Sequence, residues 1–259
     1  MTFSADTKCV CEVRPAVNYG PRIGTERPDI LLLHYTGMGD AEGALKWLCA
    51  KESGVSCHYF VFEDGRIVQL LGENKRAHHA GVSHWGGDTD INSRSIGIEI
   101  ANAGHSVGPE FPLPPFPNVQ MEAVAELCRD IIDRNNIAPH LVLGHSDVAP
   151  SRKQDPGEHF DWQFLAEKGI GHIVPPTALQ SGTFLQRGDE GEAVAAFQEM
   201  LRLYGYGVTP NGVFDTQTHD AVTAFQRHFR QEQVDGVADL STVQTLRDLL
   251  AALPAALKV

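Results

Sequence analysis

The sequence predicts an α/β protein: one central mixed β-sheet flanked by helices, followed by a small C-terminal three-helix bundle. Three observations carry that expectation. Apolar runs of strand length alternate with helical patterns over about the first 170 residues. A repeat of different texture occupies the C-terminal part. Asp-Gly and Asn-Gly pairs mark reversals in both.

Taken in order, "DILLLHY" (29–35) is a short apolar run ending in His34 and Tyr35. "AEGALKWLCAK" (41–51) reads as a helix with Leu45 and Leu48 on one side. "CHYFVFEDGRIVQLL" (57–71) is two β-rich runs around Glu63, Asp64, Gly65 and Arg66, a hairpin signal because Asp-Gly tolerates left-handed turn geometry. In "SIGIEIAN" (95–102), Ile96, Ile98 and Ile100 share one strand face and Gly97, Glu99 and Ala101 the other. A proline-dense loop (108–117) leads to an amphipathic helix carrying Val124, Leu127, Cys128, Ile131 and Ile132. "HLVLGHS" (140–146) is a further strand, entering the loop "GHSDVAPSRKQDPG" (144–157).

"IVPPTALQSG" (173–182) reads as a connector. Beyond it "AVAAFQ" (193–198) recurs as "AVTAFQ" (221–226), and "NGVFDTQT" (211–218) is echoed by "DGVADLST" (235–242). Val194, Phe197, Leu201 and Tyr204 line one helical face, Val222, Phe225 and Phe229 another, and a third helix fits 240–252. The expected division is a larger domain over 1–173, a linker over 174–183 and a helical domain over 184–259.

Composition excludes several classes. Hydrophobic content of 42% and charged content of 21% suit a globular chain rather than a disordered one. A net charge of −12 argues against a nonspecific nucleic-acid binder, which needs a basic footprint. No apolar run approaches the roughly 18–20 residues needed to span a bilayer, and no secretory signal is visible at the start. Five cysteines, an odd number without a regular framework, fit reduced thiols in a cytoplasm. Cys9 and Cys11 form a C-x-C pair without a second pair to complete a metal site.

The loop 144–157 raises the chemical question. Two apolar runs each end in a histidine, His34 and His145, and adjacent strands in one sheet would bring both imidazoles to one rim. Asp155, ten residues after His145, can fold back beside them. Two His and one Asp suit Zn²⁺ with an open fourth position for water. Glu99, flanked by Gly97 and Ala101, either points to solvent or faces a cavity as a base for that water. Lys153 is either a loop lysine or a cation beside a developing oxyanion, while Arg152 reads as an ordinary loop arginine. Arg76, His78, His79, His84 and Trp85 cluster in "RAHHAGVSHWGG" (76–87). Neighbouring histidines on an extended chain point apart, which disfavours a second metal site. His159 reads as a surface residue.

"LLLHYTG", "VSCHYFVFEDGRIVQL", "HAGVS", "NSRSIGIEIAN" and "GHSDVAPSRKQDPG" together resemble the zinc-dependent N-acetylmuramoyl-L-alanine amidases of type 2, in the branch containing AmpD and AmiD, over roughly residues 20–172. The resemblance implies the amidase and recognition-protein fold, His34, His145 and Asp155 as zinc ligands, Glu99 as general base and Lys153 as transition-state stabiliser. Where some relatives carry an early tyrosine in the strand of "VSCHYFV", Cys57 stands here, leaving the proton work to Glu99. It further implies that "HHAGVS" lines the substrate groove with His79 as a contact, joined by Tyr35 and Arg76. Asn92 and Arg94 would hold peptide carboxylates, since Arg makes paired hydrogen bonds to that group. "LQRGDEG…V…FQ" and "NGVFDTQTHDAVTAFQ" resemble a type 1 peptidoglycan-binding domain; the other reading is a bundle that only packs on its neighbour.

The expected activity is hydrolysis of the amide between N-acetylmuramic or anhydromuramic acid and L-alanine, with peptidoglycan or muramyl-peptide fragments as partners. A non-catalytic recognition protein is the alternative. The thiols favour a cytoplasmic location, whereas a wall-binding domain favours the periplasm or signal-less export.

Overall fold

The computed structural model describes residues 3–254 other than 109 and 111, so residues 1–2 and 255–259 of the expected domains, and two positions of the proline-dense loop, lie outside the described residues. In chain order the strands are β1 (Glu12–Val13), β2 (Tyr19–Pro21), β3 (Ile30–Tyr35), β4 (Tyr59–Val61), β5 (Ile67–Gln69), β6 (Lys75–Ala77), β7 (Ser95–Ile100) and β8 (Val142–Gly144). The helices are α1 (Ala41–Cys49), α2 (Ile91–Arg94), α3 (Asn118–Asn135), α4 (His145–Val148), α5 (Trp162–Glu167), α6 (Glu192–Tyr204), α7 (Thr216–Phe229) and α8 (Leu240–Ala252). The main sheet runs β1-β5-β4-β7-β3-β8 and is mixed, as expected: only β4 and β5 pair antiparallel, and β2 and β6 form a separate ribbon. No helix among the described residues is long and apolar enough to cross a membrane.

Strand alternation sets the two faces. Leu31, Leu33, Ile96, Ile98, Ile100, Tyr59 and Val61 point to one side, where Val124, Leu127, Cys128 and Ile131 of α3 cover them in one apolar cluster. Fully burying each such aliphatic side chain contributes about 1.5–3 kcal/mol. The opposite face carries Leu32, His34, Gly97, Glu99 and Phe60, with His34 directly across from Glu99 and Glu99 across from Phe60. Phe60 packs with Leu45 and Leu48 of α1. The Asp64-Gly65 hairpin forms as expected, Gly65 taking φ +85°. One expectation is corrected: the run 140–146 is a strand only over Val142–Gly144, and His145 opens the short helix α4. The Asp147 carboxylate accepts the Gly144 N–H at 2.7 Å, ending the strand and capping the turn.

The repeat has a physical cause. Gln198 in α6 donates to Asn211, the Val213 carbonyl and Thr218, and accepts the Gly212 N–H. Gln226 in α7 repeats this with Asp235, the Val237 carbonyl, Thr242 and the Asp235 and Gly236 N–H groups. Each buried "FQ" glutamine therefore staples the turn that opens the next helix, whose N-cap aspartate, Asp215 or Asp239, accepts from Thr218 or Thr242.

The helical unit packs directly on the sheet domain. Ile30, Leu32, Leu143, Trp85 and Val148 share one apolar cluster with Val194, Tyr204, Tyr206, Phe225 and Phe229. The His228 ring stacks on Trp162 at 3.7 Å. Asp147, fully buried, accepts from Tyr206 Oη and His228 Nδ1, both at 2.7 Å. Gln231 donates to the carbonyls of Glu158 and Phe160 at 2.8 Å.

Candidate metal centre

The C-terminal edges of β3 and β7 and the start of α4 meet at one cleft of about 480 Å³. His34 ends β3, and His145 follows β8, which lies beside β3. The 149–157 segment then folds back: Arg152 and Lys153 N–H groups bond the Ala149 carbonyl, and the Asp155 carbonyl accepts the Ser146 N–H at 2.9 Å. That closure delivers Asp155 to the imidazoles. His34 Nδ1 and His145 Nδ1 lie 2.9 Å apart, and each lies 3.0 Å from Asp155 Oδ2. All three residues are buried, and among the described residues they are the only His/Cys/Asp/Glu group that could hold a metal ion.

The donor set fits a small divalent cation. Tetrahedral N and O ligands at about 2.0–2.1 Å from zinc sit about 3.3 Å from one another, close to the spacing found. His145 Nε2 donates to the Ala80 carbonyl at 3.1 Å, so in the neutral ring Nδ1 offers a lone pair to the centre. Burial, then repulsion from His145, lowers the His34 pKa to about 4. Burial alone would raise the Asp155 pKa, but His145 and His34, when their rings carry a proton toward it, hold its carboxyl well below the usual carboxylate range. The centre thus favours an unprotonated His34 ring and an ionised carboxylate, the forms a metal requires.

Glu99 lies half-buried in the same cleft, its Oε2 shielded from solvent without a hydrogen-bond partner. Burial, then the Asp155 charge, raises its pKa to about 8, against the lowering influence of Lys153. An orphaned buried carboxylate oxygen is costly, and pKa values near neutrality suit proton transfer. Lys153 lines the cleft as well. Cys57 is buried behind it, its thiol donating to the Tyr59 carbonyl, and burial, then Glu99, pushes its pKa well above normal.

The residues expected to contact substrate divide. Tyr35 lines the cleft, hydrogen-bonded to His105 Nδ1 at 2.9 Å, its pKa raised to about 12 by burial and then Asp155. His79 reaches the cleft but is largely buried, its Nδ1 2.9 Å from His34 Nε2. Three others stand apart from the cleft lining. Arg76 is paired with Asp90 and Ser93; Arg94 forks onto Asp29 and lies near Asp88. The Asn92 amide oxygen accepts the N–H groups of His79 and Ala80. The Arg94 guanidinium expected to grip a peptide carboxylate, and that of Arg76 expected to contact substrate, are thus each paired with the protein's own carboxylates. Conversely, sequence reasoning missed Trp47, Met38 and Val55, which line the cleft half-exposed, and it undervalued Arg152, which bonds the Ala80 and Val82 carbonyls. His159 is exposed, as expected.

Two families match the chain. The one described as "N-acetylmuramoyl-L-alanine amidase" covers residues 24–158, and the one described as "Putative peptidoglycan binding domain" covers 190–246. Among relatives, N-acetylmuramoyl-L-alanine amidase AmiD of Escherichia coli is 38% identical over 86% of this chain and 83% of its own length. The 1,6-anhydro-N-acetylmuramyl-L-alanine amidase AmpD of E. coli is 32% identical over 57% of this chain and 86% of its own. Among solved structures, E. coli AmiD in complex with the substrate anhydro-N-acetylmuramic acid-L-Ala-D-gamma-Glu-L-Lys superposes with a TM-score of 0.74 at 36% identity, covering 90% of this chain and 92% of that one. AmpDh3 of Pseudomonas aeruginosa in complex with anhydromuramic pentapeptide gives 0.72 at 30% identity, covering 98% and 100%.

Proposed function

This chain belongs to the N-acetylmuramoyl-L-alanine amidase family, and from that premise we propose the cation, the residue roles and the substrate form. The activity itself is hydrolysis of the amide between the lactyl carbonyl of the muramic acid and the nitrogen of L-alanine; the recognition-only alternative falls with it. His34, His145 and Asp155 hold Zn²⁺. The observation that carries this reading is the convergence of their three ligand atoms within 3.0 Å of one another. Zinc bound there supplies Lewis acidity to the scissile carbonyl and acidifies a water.

Glu99 Oε2, free of protein partners, accepts the proton of the attacking water. It then delivers that proton to the alanine nitrogen as the C–N bond breaks, giving a carboxylic acid and a free amine. A nearby cation favours the carboxylate, so the metal-bound enzyme holds Glu99 more acidic than its metal-free value of about 8. Lys153 stabilises the negative charge growing on the carbonyl oxygen. Tyr35 shapes the cleft wall beside them.

Anhydromuramyl peptides are the substrates we favour, because two solved relatives hold such fragments. Five free cysteines, two of them buried, suit a reducing compartment such as the cytoplasm. Metal analysis and peptide release from anhydromuramyl tripeptide test the roles. Glu99→Ala should retain zinc and lose turnover at least about 10³-fold, and His145→Ala should lose both. Zinc loss in the Glu99 variant would overturn its assignment as a non-ligand. Faster release from purified sacculi than from the soluble tripeptide would overturn the substrate form.

A further inference from the structure

The backs of the two histidine ligands face one dipeptide. His34 Nε2 meets His79 Nδ1 at 2.9 Å, and His145 Nε2 meets the carbonyl of the next residue, Ala80, at 3.1 Å. A single buried amide fixes both: Asn92 Oδ1 accepts the His79 N–H at 3.0 Å and the Ala80 N–H at 2.8 Å. The His79 ring occupies space that exists because residue 97 is glycine. A Cβ there would stand 2.6 Å from His79 Nδ1.

The direction of each hydrogen bond follows from its end. Ser95 Oγ donates to the Ile91 carbonyl at 2.7 Å, spending its only proton. Toward His79 Nε2, 3.2 Å away, Ser95 can therefore only accept, so His79 Nε2 carries the hydrogen. A neutral ring carries one, leaving His79 Nδ1 as an acceptor and His34 Nε2 as the donor to it. His34 Nδ1 is then a lone pair. By the separate route through Ala80, so is His145 Nδ1. Two imidazole lone pairs and a carboxylate oxygen facing one another repel unless a cation lies among them.

We propose that the His79–Ala80 dipeptide, clamped by Asn92, is a shared positioning element that sets both imidazole ligands in the Nε2–H tautomer and turns their Nδ1 lone pairs to the cation. This rests on the cation site proposed above and gives His79 and Asn92 a role behind the ligands instead of on the substrate. The dipeptide joins β6 to the loop before α2, and so ties a segment outside the main sheet to the end of β3 and the start of α4, which bear His34 and His145.

Zinc affinity measured by chelator competition on the full chain tests it, with His79→Phe, His79→Asn and Ser95→Ala. The Phe variant fills the socket without an acceptor and should bind zinc about 10–100-fold more weakly, the range for lost outer partners. Asn places an amide oxygen near the lost Nδ1 and should recover most of that affinity; Ser95→Ala should lose less than Phe. If His79 only fills space, Phe should bind better than Asn, which overturns the proposal. If it contacts substrate, KM rises while zinc affinity stays unchanged, which also overturns it. Side-chain ¹⁵N NMR of the metal-free wild type should show His34 protonated at Nε2, and an unprotonated Nε2 refutes the relay even where a variant misfolds. Failure of the wild type to bind zinc would instead sink the cation site itself.

Discussion

Two His–Asp pairings occupy one stretch of chain and do opposite things. His145 and Asp147 lie two residues apart on α4, yet one faces the cleft and the other the helical unit. In the cleft, Asp155 Oδ2 meets His34 and His145, three groups turned on one another with acceptors in excess. At the domain contact, Asp147 accepts three donors at 2.7 Å: the Gly144 N–H, Tyr206 Oη and His228 Nδ1. Both carboxylates are buried. What separates a candidate ligand site from a structural clamp is the balance of donors to acceptors. The protein completes one set and leaves the other short of a positive charge.

Breaking each side of that contrast should give different failures, and the largest is in the cleft. Asp155→Asn removes the one anionic member of the proposed ligand set and should lower kcat/KM at least about 10³-fold, or about 4 kcal/mol of barrier. In urea unfolding without metal, with both rings neutral and their Nδ1 lone pairs turned inward, it should leave stability nearly unchanged or raise it, because it relieves the crowding of acceptors. Asp147→Asn should do the reverse, costing about 3 kcal/mol by leaving buried donors facing an amide N–H. Equal losses from the two substitutions in metal-free protein would dissolve the distinction.

A smaller effect sharpens it. His58 is buried with both ring nitrogens used, Nδ1 accepting the Gly97 N–H and Nε2 donating to the Lys75 carbonyl. Burial, then the Arg22 charge, lowers its pKa to about 4. A folded-state pKa below the unfolded value of about 6.5 means its contribution is present above pH 6.5 and fades as pH falls toward 4, by up to about 3 kcal/mol. Unfolding curves of wild type and His58→Gln should diverge above pH 6.5 and converge toward pH 4. Last, Gln226→Ala should speed amide exchange in the 235–242 turn while leaving zinc affinity unchanged, since its staple serves only the helical unit.

Much of this was legible in the chain. The alternation of Ile96, Ile98 and Ile100 against Gly97 and Glu99 named the two sheet faces, because period two is what a pleated strand imposes. The histidines closing two apolar runs marked the rim, although His145 starts a helix rather than ending a strand. That Arg76 and Arg94 are paired with the protein's own carboxylates could not be read from residue type, which speaks for chemistry and not for occupancy. Their partners lie far along the chain, Asp90 14 positions from Arg76 and Asp29 65 positions from Arg94. The clamp could not be read at all: Asp147 meets Tyr206 across 59 positions and His228 across 81. The repeated "FQ" was visible as a pattern, but its purpose needed the turns it staples.

The shared core around Trp85, Tyr206 and Phe225 carries a last consequence. An appendage on a loose tether searches a volume and raises local concentration, at the expense of orientation. Here the linker from 174 to 183 has no such freedom to grant, because the unit it leads to is anchored on the helix that begins with His145, a proposed ligand. Anything grasped by the C-terminal helices is held at a set distance and bearing from the reacting bond, so the molecule behaves as a ruler instead of a leash. Changes in the length of that connector should therefore alter activity far less than changes in the surface it bypasses.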